Sequence, residues 1–156
     1  GGMMNFKRIE SRDISVSLMQ KLVDFCVDYI ERSGDSLIMP MQLVNIAQES
    51  AFKKAANFQF WLLSDENGAC GYALTEFQQG LKGPELFIRQ AYIGEGHRNN
   101  GVQVLTTNEM EKFARESGCK FLVSGTQRTP FDAYLRWMGR VGFKPRSVDV
   151  EKPLLG

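Results

Sequence analysis

The chain has 156 residues, long enough for one domain with a sizeable core, and its hydrophobic (43%) and charged (24%) fractions are those of a globular protein. Its 19 basic and 18 acidic residues leave a net charge of +1, so a broad basic footprint is excluded and nucleic acid is not the expected partner. No apolar run approaches the roughly 18 residues of a membrane span, and no charged-then-apolar leader suggests export.

Gly1 and Gly2 ahead of Met3 read as an expression scar, so a single domain is expected over residues 3–156. Asn5 to Ile9 reads as a first strand. Ser17 and Gln20 have the spacing of a capping box, and Leu18, Leu22, Phe25, Cys26, Tyr29 and Ile30 then follow helical periodicity until Gly34 stops it. Pro40 suits the first turn of a second helix carrying Leu43, Ile46, Ala47 and Ala51. Asp24, Asp28 and Glu31 place acid on the first helix, which reads as a solvated face.

From Phe58 the pattern turns aromatic and apolar, as in strands. Phe58 to Leu63 and Gly71 to Phe77 flank a turn at Ser64–Gly68 and predict a hairpin, with a further strand from Glu85 to Ile93. A helix is predicted from about Asn100 to Glu116, closed by Gly118, and Phe121 to Val123 reads as a short buried strand. Thr129, Pro130 and Asp132 supply a cap, a first-turn proline and a capping acid for a last helix. Val148 and Val150 alternate with polar neighbours and suggest a final strand. The order β α α β β β α β α β implies an α/β (α+β) domain whose sheet includes some parallel pairing.

Cys26, Cys70 and Cys119 are odd in number, no CxxC occurs and His97 is the only histidine, so no metal site is expected. Free thiols of a reducing cytoplasm fit this pattern.

The stretch Leu86 to Leu105, LFIRQAYIGEGHRNNGVQVL, joins a strand to a helix through a polar loop. The start of a helix offers unpaired N–H groups and the positive end of the helix dipole, which suit a pyrophosphate. Asn99, Asn100 and Gly101 tolerate the tight backbone of such a loop, and Arg98 brings a charged donor for phosphate oxygens.

Arg98-Asn99-Asn100-Gly101-Val102-Gln103 resembles the central Arg/Gln-x-x-Gly-x-Gly/Ala motif of the GCN5-related N-acetyltransferase (GNAT) family, with His97 where an aromatic residue is common. Val141-Gly142-Phe143 is similar to the hydrophobic–Gly–Phe turn that ends the family's late helix. The resemblance covers about Glu85 to Phe143, and element order extends it over the chain. It implies a mixed central sheet of about six to seven strands flanked by about four helices. It also implies that the fourth strand splays from the fifth through a bulge near Ala91, Tyr92 and Ile93, whose amides bind the pantetheine arm of acetyl-CoA. The amides from Asn99 to Gln103 would then cradle the pyrophosphate. In the family an amine attacks the thioester directly, a carboxylate or water removes its proton and a helix tyrosine protonates the leaving thiolate.

Gln103 stands where the family has Gly or Ala, Arg89 where a Glu is often the base, and Met138 at the usual tyrosine position. Tyr134, one turn before Met138, and Glu85 or Glu76 are the substitutes at hand for acid and base. Two functional readings follow: an acetyl-CoA-dependent N-acetyltransferase without a metal, acting on an unidentified small-molecule or protein amine, or a catalytically inactive GNAT-fold protein acting through a protein partner. Because edge strands of this fold often pair between subunits, a homodimer is a further expectation.

Overall fold

The computed structural model describes residues 3–53, 57–126 and 131–154. They belong to two compact units, Gly1–Gly125 and Thr126–Gly156. In the first unit five strands, β1 (Asn5–Arg8), β2 (Phe58–Asp65), β3 (Gly68–Gly80), β4 (Gly83–Ile93) and β5 (Phe121–Ser124), lie side by side in chain order. Tight connections make β2–β3 and β3–β4 antiparallel, as is β1–β2. Between β4 and β5 the chain runs through helix α3 (Asn100–Glu116), and this crossover makes β5 parallel to β4.

Helix α1 (Val16–Ser33) buries Leu18, Leu22 and Cys26 along one stripe. Its cap is Ser15, whose hydroxyl oxygen accepts from the Leu18 N–H at 3.0 Å. Ser17, expected at the cap, therefore lies inside the helix. Gly34 ends α1 in the left-handed conformation at φ 73°. Helix α2 (Pro40–Ala51) opens on Pro40, where the missing N–H costs no helical bond.

These two helices cover one face of the sheet. Phe60, Leu62, Tyr72, Leu74 and Tyr92 meet Leu22, Cys26, Leu43 and Ala47 in a single buried cluster. Alternation sends Trp61 to the other face, where it stacks on Phe6 with ring centres 5.1 Å apart and meets the edge of Phe113 from α3. The polar atoms buried there are satisfied in a chain: Trp61 Nε1 donates to Thr75 Oγ1 at 2.9 Å, and that hydroxyl donates to Gln59 Oε1 at 2.8 Å.

In the second unit, helix α4 (Phe131–Gly139) ends in a turn at Gly142, φ 93°, where the Phe143 N–H donates to the Met138 carbonyl. This is the expected Val141-Gly142-Phe143 turn. Thr129 and Pro130, expected to cap the helix, lie outside the described residues. Among the described residues the sheet has five strands rather than six or seven, and no strand forms at Val148 and Val150. Both side chains are almost fully exposed, so their alternation has no buried face and no ladder to stabilise it. All three cysteines are free, with Cys26 and Cys70 buried. Among the described residues no helix is long and apolar enough to cross a membrane.

Leu43 has no solvent exposure and sits where α2 meets the sheet. Leu43→Ala should lower unfolding stability by about 2–5 kcal/mol, the cost of a cavity in a packed core, as read from urea melts of both proteins.

Candidate functional site

Pairing between β3 and β4 slips by one residue: Leu74 faces Gln90 and Thr75 faces Ile88, which leaves Arg89 as a bulge. Parallel pairing with β5 stops at the same point, with Ile88 and Ser124 as its last pair. Beyond it β4 continues against β3 as far as Ile93 without β5. Among the described residues no strand covers the other edge of β4 from Arg89 to Ile93, where the Ile93 carbonyl accepts from Arg98. The bulge lies ahead of the predicted Ala91–Ile93, and those three residues form the free stretch behind it.

The bulge also resets the faces of β4. Glu85 and Phe87 pair with Gln78 and Glu76, and beyond the bulge Gln90 and Tyr92 pair with Leu74 and Tyr72 on that same face. Ala91 pairs with Ala73 on the opposite face, so the expected common face of Glu85, Phe87, Arg89 and Ala91 breaks at Arg89. Glu85 is buried at the start of β4, where Gln78 Nε2 donates to it at 2.6 Å and Gly80 leaves it room: a Cβ there would meet its carboxylate at 2.4 Å. The carboxylate beside the bulge is Glu76, which accepts from Arg89 Nη2 at 2.7 Å and Nε at 3.1 Å. Tyr134 lies in α4, half-buried, within the second unit.

Helix α3 begins beside the free stretch. Asn99 is its cap, extended at φ −147°, and its side-chain oxygen accepts from the Val102 N–H at 3.0 Å. Asn100 and Gly101 are exposed at the helix end, whereas Val102 and Gln103 are buried. The residue that replaces the family's small one thus keeps its side chain in the protein interior.

Arg98 is turned toward β4 and α1. Its Nε donates to the Ile93 carbonyl at 2.6 Å, its guanidinium lies over the Tyr92 ring and Nη2 stands 3.8 Å from Asp28. Asp28 Oδ2 accepts from the Tyr92 hydroxyl at 2.6 Å and from Arg32 Nε at 2.9 Å. The Tyr92 hydrogen bond is the main reason that the Asp28 carboxyl titrates below its ordinary 3.8, with Arg32 and Arg98 adding to it. Burial, followed by the bond to Asp28, pushes the Tyr92 phenol up to about 12. Sequence periodicity placed Asp28 on a solvated face; the tyrosine that engages it lies 64 residues away.

His97 faces away from the free stretch, toward the β2–β3 turn. Its Nε2 is 2.8 Å from Asp65 Oδ2, and its Nδ1 is buried without a hydrogen-bond partner. The histidine holds the Asp65 carboxyl below its ordinary 3.8, helped by the Asn67 N–H.

No protein-family model matches the sequence, and no curated protein aligns with it. Solved structures do match. The aminoglycoside N-acetyltransferase AAC(6')-Iy in complex with CoA superposes with a TM-score of 0.72 at 12% identity, over 99% of this chain and 97% of that one. This is the GNAT fold. A ribosomal-protein-alanine N-acetyltransferase from Brucella melitensis biovar Abortus 2308 is similar with a TM-score of 0.66, 13% identity and coverage of 96% and 99%. A transcriptional regulator from Bacillus halodurans C-125 shares the fold at 0.73 and 18% identity, over 97% of this chain and 100% of that one. The GNAT fold thus persists here at identities that carry little sequence signal.

Because Asp28 and Asp65 titrate below 3.8, the stability that they add is complete above that pH and is lost as pH falls through their folded values. Tyr92→Phe should move the Asp28 carboxyl upward toward 3.8 and flatten the acid side of the stability curve. Carboxyl NMR titration and urea melts carried downward from neutral pH measure the two effects.

Proposed function

We propose that the chain is an acyl-CoA-dependent N-acetyltransferase, which transfers an acetyl group to an amine. The observation that carries this reading is the parting of β4 from β5 at Ile88, directly ahead of the capped start of α3. A strand edge and a helix N-terminus placed in succession suit an extended ligand with amide groups in one half and a diphosphate in the other. The edge from Ala91 to Ile93 would hold the pantetheine arm of acetyl-CoA, and the opening turn of α3, from Asn99 to Gln103, its pyrophosphate. That two of the neighbours are named as N-acetyltransferases, one of them in complex with CoA, supports the assignment.

Bound acetyl-CoA supplies an activated thioester carbonyl. The chain's own contribution is to hold that carbonyl and the amine together, which by itself supplies much of the acceleration. Glu76, held by Arg89 at the bulge, replaces Glu85 in this reading as the carboxylate that receives the amine proton, because Glu85 is engaged with Gln78 at the far end of β4. The departing thiolate takes its proton from water. Arg98 reaches phosphate by exchanging the Ile93 carbonyl for an anionic oxygen, a stronger acceptor.

Calorimetric titration with acetyl-CoA, with free CoA as control, tests the reading. Micromolar binding of both is expected, and no binding at millimolar ligand would retire it in favour of the inactive, partner-binding alternative. Asn99→Asp gives a sharper check: aspartate caps a helix as well as asparagine, so α3 stays formed while a negative charge is set against the diphosphate. Its affinity for acetyl-CoA should fall at least about tenfold with no change in far-UV circular dichroism.

A further inference from the structure

Away from the β4 edge, three metal-ligating side chains distant in sequence converge. A carboxylate oxygen of Asp65 at the end of β2, the Cys70 sulfur in β3 and a ring nitrogen of His97 in the loop before α3 all lie within 4.8 Å of one another. Cys70 owes its position to an irregularity in the sheet. Pairing slips between Leu63, which faces Gly71, and Ser64, which faces Ala69, so Cys70 is the extra residue of a bulge. Bulges re-aim side chains next to functional sites. His97 is brought in by the Gly94–Gly96 loop, closed by its own N–H donating to the Gly94 carbonyl at 3.1 Å, with Gly96 at φ 88°.

We infer that Asp65, Cys70 and His97 form a binding site for one divalent cation of the zinc class. Cysteine, histidine and aspartate together make up a mixed S/N/O donor set, typical for zinc. Ligand bonds of about 2.0–2.3 Å put the donors of a tetrahedral zinc roughly 3.2–3.8 Å apart, so the three atoms are within small side-chain rotations of coordinating positions. Asp65 Oδ2 and His97 Nε2 stand 2.8 Å apart, so the cation would take the place of the proton between them, with the imidazole hydrogen on Nδ1.

Room and charge agree with this. Asp65 and His97 also line an open cleft of about 420 Å³ that extends past Gly96 to Asn99, Gly101 and Val102 at the start of α3, enough space for water to complete the coordination shell. Lys21 reaches the same turn, where a Cβ on Gly68 would meet its Nζ at 3.0 Å. Asp65, Glu66 and a metal-bound thiolate outweigh that single positive charge. The sequence argued against any metal because none of the familiar ligand spacings occurs; here the ligands come from three separate elements.

The test uses the full chain, stripped with a chelator and then titrated with Zn2+ against a chromophoric competitor, with Co2+ as a spectroscopic probe. One equivalent of metal per chain is expected, and Co2+ should produce a sulfur-to-cobalt charge-transfer band. Cys70→Ser should abolish the band, Cys70→Ser and His97→Ala should each weaken Zn2+ at least about tenfold, and Cys119→Ser should change neither. His97 lies on a partly exposed loop, so its variant reads the site even where the buried Cys70→Ser disturbs folding, which circular dichroism monitors. No stoichiometric uptake at micromolar metal, or equal affinity in all variants, would overturn the assignment. Acetyl-CoA is not needed at any step, so this result and that of the acyl-CoA titration are read independently.

Discussion

The position of Arg89 is the constraint from which the rest of the candidate site follows. One residue too many on β4 shifts its register against β3, and at that point its bonds to β5 end. Gln90 and Tyr92 thereby stay on the face covered by α1 and α2, and Tyr92 reaches Asp28. Without the extra residue the outer half of β4 would show the opposite face. The Tyr92 hydroxyl, the Asp28 carboxylate and the Arg98 guanidinium would then not meet at the end of the strand. The facing of the free stretch and the anchoring of Arg98 beside Tyr92 are thus two effects of a single insertion.

Legibility in the sequence tracks how local the cause is. Helix α3 falls at Asn100–Glu116 as predicted because the cap Asn99 and the stop Gly118 both act within a turn of its ends. For α1 two serines compete, and the cap is Ser15 because its hydroxyl is placed for the Leu18 amide. The bulge at Arg89 leaves no mark, since nothing in the side chains of β4 records where a neighbouring strand stops. Glu85 and Ala91 lie on opposite faces for that reason: counting by twos along a strand fails at an unseen insertion. Val148 and Val150 show the converse, a strand pattern with no sheet edge to receive it.

The polar groups of the site were the hardest to foresee because their partners are remote. Asp28 and Tyr92 are brought together by packing of α1 on β4, and Asp65, Cys70 and His97 by one hairpin irregularity and a loop. Helical periodicity could say only that Asp28 lies off the core stripe. Likewise Arg98 was read as a phosphate donor from its place in the motif, and the structure shows what it does without a ligand: it is tethered to the Ile93 carbonyl and lies over Tyr92. Electrostatics at the end of β4 is therefore settled within the protein before any anion arrives.

The join between β4 and β5 has a consequence for the order in which the chain comes together. β2, β3 and β4 are linked by ladders of eight and ten paired positions and close through tight turns, whereas β5 holds by four pairs, Glu85–Phe121 to Ile88–Ser124, across a crossover that includes all of α3. Short loops close early and long ones late, so the antiparallel meander forms a platform onto which β5 docks at the end. Those four pairs give β5 few bonds to hold it, and Phe121 is already partly exposed. The gap between the two strands lies at a seam of only four pairs, and loosening that seam would erase the gap while the β2–β3–β4 meander stays folded.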